Sequence, residues 1–163
     1  MEAFDVAIKM EQDGYRFYSE EAGKLKDQAA ARMLRSLAED EKRHEEIIRG
    51  LKAGRTYYVA SATFAGIRNI FEDLRDRRQS FFNENDSLAQ VLAKGAEMET
   101  RSVSLYRAQA QQARTEAEKN VWRALQAEEE KHEKLLKMTL EFIEEPALIL
   151  ENSEFLFYGN DKT

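Results

Sequence analysis

The chain of 163 residues contains no cysteine, one proline, seven glycines and two histidines. Without cysteine it cannot form a disulfide, a thiolate zinc site, an iron–sulfur cluster or a rubredoxin-type centre. Because prolines and glycines are few, long stretches contain nothing that would interrupt a helix, and 42% hydrophobic residues suffice for one core. The composition predicts a single all-α domain over residues 1–163 whose metal ligands, if it has any, are oxygen and nitrogen atoms.

The charge balance is acidic, with a formal net charge of −6 and a pI near 5.2. No basic face is evident that could neutralise phosphates, so we expect no nucleic-acid partner. No apolar run approaches the ~20 residues needed to cross a bilayer. Charged residues at Glu2, Asp5, Lys9 and Glu11 also interrupt the apolar stretch that a signal peptide would need. We therefore expect a cytoplasmic protein without a membrane partner.

Apolar residues that recur at steps of three and four predict four long helices. They span about 3–25, 28–52, 87–113 and 116–145, and the expected inner face of helix 1 is Phe4, Ala7, Ile8, Glu11, Tyr15, Tyr18, Ala22 and Leu25. Asp27, Ser87 with Gln90, and Thr115 with Glu118 are the expected N-terminal caps. The crossover of residues 53–86, which could include an extra helix over 63–78, favours a four-helix bundle of two hairpins. Residues 146–163 are expected to form an extended tail.

Both histidines occur in the same sequence setting, in an internal repeat offset by 88 residues. Each histidine lies three residues after one glutamate and 33 residues after another. Residues at i and i+3 are neighbours on a helix, so Glu41 with His44 and Glu129 with His132 form two clamps, and two lone glutamates complete them. Four carboxylates balance the charge of two divalent ions, as a buried site requires. The predicted ligands are Glu11, Glu41, His44, Glu99, Glu129 and His132.

Four further residues could contact these ligands from outside. Tyr18 and Tyr106 lie two turns from the lone glutamates on the same helix faces, and they are either ordinary core tyrosines or hydroxyl donors to a ligand carboxylate. Asp40 and Glu128 precede the clamp glutamates. They are either partly exposed acids or acceptors for the free nitrogen of a histidine on a facing helix.

These motifs resemble the rubrerythrin branch of the ferritin-like superfamily, from Ala7 to about Phe142. The resemblance rests on Glu11 with Tyr18, Glu99 with Tyr106, Glu41-Lys-Arg-His44 and Glu129-Glu-Lys-His132. It implies a ferritin-like bundle that binds two iron ions, with manganese or zinc as substitutes on the same ligands. Haem is not implied, because Lys42 stands where bacterioferritins carry a haem-ligating methionine.

The chain departs from the rubrerythrins in two respects. It has no cysteine-ligated rubredoxin domain, and it has no second carboxylate one turn from Glu99, where Ala96 and Ser102 stand. Glu97 lies about 200° round the helix from Glu99 and could substitute only through a helix irregularity. The exchange of a glutamate for a histidine on redox change, which the resemblance implies, would therefore lack its usual helix 3 carboxylate.

The resemblance implies a non-haem di-iron oxidoreductase that reduces hydrogen peroxide or reacts with dioxygen, with electrons from an external donor such as a rubredoxin-type protein. Oxidation of ferrous iron is the nearest alternative activity, and a non-catalytic metal-binding bundle is the alternative from another class. The aromatic crossover and the tail around Phe155 and Phe157 carry more apolar surface than one small bundle can cover. We therefore expect a homodimer that buries one or both segments.

Overall fold

Four helices form the part of the protein that the structure, a computed structural model, describes: residues 2–61 and 86–144. The helices are α1 (Ala3–Lys24), α2 (Gln28–Lys52), α3 (Asp86–Gln112) and α4 (Glu116–Glu144). Helix α1 packs mainly against α2, α3 packs mainly against α4, and the two hairpins meet chiefly through α1 and α3. The predicted all-α bundle of two helical hairpins is thus confirmed. The extra helix expected over 63–78 and the tail expected over 146–163 lie outside the described residues.

Side-chain caps begin two of the helices. Asp27 Oδ1 accepts a hydrogen bond from the Ala30 amide at 2.8 Å, and Thr115 Oγ1 accepts one from the Glu118 amide at 3.1 Å. These bonds satisfy amides that have no partner within the helix. The cap expected at Ser87 is wrong, because α3 begins at Asp86 and Ser87 already lies in its first turn.

Helix α2 ends in a tight left-handed turn at Gly54. Its φ of +78° is a backbone conformation that glycine adopts without steric cost. The amide of Arg55 donates to the carbonyl of Gly50 at 2.9 Å, and the amide of Gly54 donates to that of Leu51 at 2.9 Å. This pair of bonds is the Schellman arrangement. It turns residues 55–61 back along α2 towards the middle of the bundle, where the Val59 carbonyl accepts a hydrogen bond from Arg43.

The core consists of two apolar clusters with a buried polar layer between them. On α1, Ala7 and Ile8 belong to one cluster, and Tyr18 and Ala22 belong to the other. Glu11 and Gly14 lie between these pairs along the helix, and both are buried. The expectation that Tyr15 would face inward is wrong, since Tyr15 is 40% exposed. Positions 14 and 15 lie at similar angles to the Glu11–Tyr18 line, and α2 packs on the side of Gly14.

A membrane-spanning helix would have to be both long and apolar. Within residues 2–61 and 86–144, no helix meets both conditions.

Candidate metal centre

The six predicted ligands meet in the polar layer between the two apolar clusters. Each of them is at most 3% exposed. One ligand atom from each of Glu11, Glu41, His44 and Glu129 lies within 4.8 Å of the others, and the same holds for Glu41, Glu99, Glu129 and His132. Glu41 and Glu129 belong to both groups. The arrangement is therefore suited to two neighbouring metal ions that share two carboxylates, with one further glutamate and one histidine for each ion.

Both imidazole rings direct their Nδ1 atoms towards the carboxylates. His44 Nδ1 lies 2.7 Å from Glu129 Oε1 and 3.5 Å from Glu11 Oε2. His132 Nδ1 lies 3.0 Å from Glu129 Oε2 and 3.6 Å from Glu41 Oε1. The two rings are stacked, with centroids 5.7 Å apart. Each clamp therefore offers a nitrogen lone pair and a carboxylate oxygen to the same region of the core.

The outer Nε2 atoms of the histidines contact acids on the opposite helix. His44 Nε2 on α2 lies 2.7 Å from Glu128 Oε2 on α4, and His132 Nε2 on α4 lies 3.0 Å from Asp40 Oδ2 on α2. A carboxylate oxygen at this distance accepts a hydrogen bond from Nε2–H. The other ring nitrogen, Nδ1, is then left as the metal-facing lone pair. Asp40 and Glu128 are each 4% exposed. They are therefore buried beside the histidines and are not partly exposed acids.

The segment after α2 contacts these outer acids. The hydroxyl of Tyr58 donates to Glu128, and the amide of Ser61 donates to the same carboxylate at 3.1 Å. Ser61 Oγ also donates to Asp40 Oδ2 at 2.6 Å. We call residues 55–61 the strap. It contacts both histidines indirectly, through Glu128 and Asp40.

Arg43 joins the same network from within the Glu41–His44 motif. Its guanidinium donates to Glu128, to Asp40 Oδ1 at 3.3 Å and to the carbonyl of Val59 in the strap. Arg43, Tyr58 and Ser61 were not among the residues predicted for the site from the sequence. Of these three residues, only Arg43 had a signal in the sequence. The equivalent position of the repeat is Lys131, so both Glu-x-x-His motifs contain a basic residue.

The two tyrosines of the repeat differ in their contacts. Tyr18 on α1 donates a hydrogen bond across the bundle to Glu99 Oε1 on α3, and not to Glu11 on its own helix. The hydroxyl of Tyr106 has no hydrogen-bond partner among the described residues, and its ring packs against Trp122 at 5.4 Å. The contacts of Tyr18 are those of a ligand-positioning hydroxyl, whereas those of Tyr106 are those of a core tyrosine.

Several acceptor atoms in the cluster have no hydrogen-bond donor. Within the described ranges these are both oxygens of Glu11, one oxygen each of Glu41 and Glu129, and Nδ1 of His44. His44 Nδ1 and Glu129 Oε1 lie 2.7 Å apart, but their contact does not have hydrogen-bond geometry. Buried acceptors without a donor are costly, and a bound cation satisfies them. A set of carboxylates and imidazoles without sulfur suits iron, manganese and zinc alike. The residues present therefore fit a pair of such ions.

The pKa values of the clustered glutamates and histidines show that the site favours bound positive charge. Burial, with the carboxylates of Glu41 and Glu129, raises the pKa of Glu11 and that of Glu99 well above the usual range. Burial lowers the pKa of both histidines, but the surrounding carboxylates outweigh it and raise these pKa values well above the usual range. The raised pKa values therefore favour bound protons on these groups where cations do not replace them.

Two other acidic residues near the ligands, Glu97 and Glu133, point away from the site. The Glu97 side chain is 64% exposed and lies 3.8 Å from Lys94, so it does not replace the missing helix 3 carboxylate. Ala96 and Ser102, one turn before and after Glu99, are 6% and 5% exposed. Glu133, next to His132, pairs with Lys137 at 2.5 Å on the surface. Among the described residues, the two metal positions therefore depend on the six predicted ligands.

The chain was compared with known proteins. A family model described as Rubrerythrin matches residues 2–140, which is most of the chain and includes all six candidate ligands. Neither the comparison with curated proteins nor the comparison with solved structures gives a match.

Proposed function

Since the chain belongs to the rubrerythrin family, we propose that it is a non-haem di-iron oxidoreductase that reduces hydrogen peroxide. The observation that carries the proposal is the pair of buried ligand groups that share Glu41 and Glu129. Two redox-active ions that share carboxylates can act together on one small oxidant. The protein would bind two iron ions, with Glu11 and His44 completing one position and Glu99 and His132 completing the other.

Reduction of one hydrogen peroxide molecule consumes two electrons and two protons and yields two water molecules. The iron pair, when bound in the ferrous state, would supply both electrons for cleavage of the O–O bond. The protein's own residues orient the ligands. Glu128 and Asp40 hold the histidines with Nδ1 inward, and Tyr18 holds the carboxylate of Glu99 from across the bundle. The apolar clusters on either side exclude bulk water from the ligands.

Each turnover would need electrons from a donor that is not part of this chain. The chain has no cysteine and therefore no iron–sulfur or rubredoxin centre of its own. We propose a small redox protein of the rubredoxin type as that donor, acting together with this protein in the cytoplasm. The strap is the described segment that connects the surface to the outer acids, so the donor would be expected to act near it.

The reaction is tested by a comparison of oxidants. Protein loaded anaerobically with ferrous iron is mixed rapidly with hydrogen peroxide or with dioxygen, and the oxidation of iron is followed by absorbance and freeze-quench Mössbauer spectroscopy. The proposal expects peroxide to react much faster than dioxygen. A faster reaction with dioxygen would contradict it. The variant Glu130→Ala, which changes an exposed acid next to Glu129, is the matched control and should retain the wild-type preference.

Ferrous iron oxidation with dioxygen is the second candidate function. One observation favours it: Ser102 and Ala96 are buried beside Glu99, where a rubrerythrin would carry its additional carboxylate. A site without that ligand has fewer ways to change its coordination during a peroxide cycle. The same mixing experiment tests this candidate, since repeated oxidation of added ferrous iron by dioxygen, without a protein reductant, is expected of a ferroxidase.

A non-catalytic metal-binding bundle is the alternative of a different class. The ligand set would also accept zinc or manganese, because affinity alone does not select iron. Elemental analysis of protein purified from iron-replete cells distinguishes these cases. About two iron ions per chain would support the di-iron proposal, whereas zinc in their place, with no reaction towards either oxidant, would support the structural alternative.

A further inference from the structure

Gly14 on α1 faces the carboxylate of Glu41 on α2. A Cβ atom at position 14 would overlap Oε2 of Glu41 and would lie 3.1 Å from its Cδ and 3.2 Å from its Cγ. Gly14 lies one helical turn after the candidate ligand Glu11, and it is buried. The absence of a side chain at this position therefore provides the space in which the Glu41 carboxylate lies.

The corresponding position in the second half of the repeat has a side chain. Gly14 is equivalent to Ser102 on α3, 88 residues later, and Ser102 is buried one turn after Glu99. Glu129, the equivalent of Glu41, therefore has no such glycine at the matching position of the helix that carries the lone glutamate. The two halves of the repeat thus differ in residue type at this position, glycine beside Glu11 and serine beside Glu99.

We propose that Gly14 is a positioning residue of the metal centre, because it reserves the space that lets Glu41 serve both metal positions. The inference rests on the proposed function in that it takes Glu41 as a shared metal ligand. A methyl group at position 14 would displace the end of a flexible side chain and not the backbone, so the helices can still pack. The expected defect is therefore in metal binding and not in folding.

The test is a comparison of Gly14→Ala with Gly23→Ala. Gly23 is on the same helix, and a Cβ there would meet nothing within 4 Å, so Gly23→Ala reports the effect of alanine on helix stability alone. Alanine is favoured over glycine inside a helix, and Gly23→Ala should raise the Tm of the metal-free protein by roughly 2–4 °C. Gly14→Ala should remain helical by circular dichroism and should bind Co²⁺ about 10- to 100-fold more weakly at both positions, a loss of the size expected for a disturbed ligand.

A second background separates a displaced ligand from a packing defect. The Glu41→Ala variant lacks the carboxylate that a methyl group at position 14 would displace. Adding Gly14→Ala to this variant should therefore change its Tm by the same amount as Gly23→Ala changes the Tm of the metal-free wild type. This comparison also decides the matter if Gly14→Ala alone does not fold. Unchanged Co²⁺ binding in Gly14→Ala, or equal destabilisation by Gly14→Ala with and without the Glu41 carboxylate, would overturn the inference. If the wild-type protein itself binds no Co²⁺, the proposed function fails instead.

Discussion

Asp40 on α2 holds His132 on α4 at 3.0 Å, and the repeat-related pair, Glu128 on α4 and His44 on α2, is held at 2.7 Å. Each acid directly precedes the clamp glutamate of its own helix. The acid that orients each histidine therefore lies on the helix of the other clamp. Because α2 and α4 are joined through these reciprocal contacts, a change on either helix is expected to affect ligands on both.

Loss of a shared carboxylate should affect both metal positions. Glu41→Ala should bring the number of tightly bound Co²⁺ or Fe²⁺ ions well below two per chain, because Glu41 belongs to both ligand groups. Glu11→Ala should weaken mainly the His44 position, since Glu11 belongs to one group only. Isothermal titration measures both effects, with the exposed neighbour Glu130→Ala as control. Two tightly bound ions in Glu41→Ala would contradict the assignment of the ligands.

The outer acids should each support one position. Asp40→Ala removes the acceptor for His132, and Glu128→Ala removes that for His44. Loss of such a partner typically lowers metal affinity by about 10- to 100-fold. Stepwise Co²⁺ titration should show one weakened ion in each variant and a normal second ion. The exposed neighbour Glu39→Ala should bind as the wild type does, and identical affinities in all four proteins would show that the acids do not orient the ligands.

Low pH should weaken the contribution of Glu128 to the free energy of unfolding. Burial raises its pKa, but hydrogen bonds from His44, Tyr58 and Arg43 outweigh burial and lower the pKa from 4.5 to about 2. Since the folded pKa lies below the unfolded one, the stabilisation is complete above about pH 4.5 and is lost as the pH falls towards about 2. Glu128→Gln lacks this titration. Urea unfolding of the chelator-treated proteins should therefore show a wild-type advantage that shrinks across this range, whereas an advantage independent of pH would contradict it.

Removal of metal should lower the melting temperature. The carboxylates of the cluster lie close together in the core, and cations that bind only the folded state stabilise it by linkage. For one site, the gain is about 4 kcal/mol at a free metal concentration of ~1,000 Kd. Calorimetry with and without a chelator should show a large decrease for the wild type and none for a Glu41→Ala/Glu129→Ala double variant. Equal melting temperatures for the wild type would mean that no ion binds in the core.

We propose that the protein is a homodimer. The proposal comes from the sequence, in which the crossover and the tail around Phe155 and Phe157 are rich in aromatic residues, and these segments lie mostly outside the described residues. In the strap, Tyr57 and Val59 are 69% and 41% exposed. Light scattering should give about twice the chain mass of 18.9 kDa. A monomer at micromolar concentration, or a large cage of many subunits, would contradict the proposal.

The sequence by itself determined the fold class and the candidate ligand set. Apolar residues at helical spacing define four helices, and a charged residue that interrupts an otherwise apolar stripe must have a partner in the core. Glu11 and Glu99 are predicted members of the site for this reason, because few other arrangements can bury a carboxylate. The repeat then linked each of them to a clamp.

Only the tertiary structure decided how the two halves differ. The repeat makes Tyr18 and Tyr106 equivalent, but their contacts depend on how α1 and α3 pack, and only Tyr18 reaches a carboxylate. Tyr58 and Ser61 join the site because Gly54 turns the strap back over α2, a path that helical periodicity cannot predict. Arg43 joins it from α2 itself, because α2 and α4 pack closely enough for its guanidinium to reach Glu128. Likewise, Gly14 and Tyr15 fit the helical stripe equally well. The side on which α2 packs decides that Gly14 is buried against Glu41 and that Tyr15 is exposed.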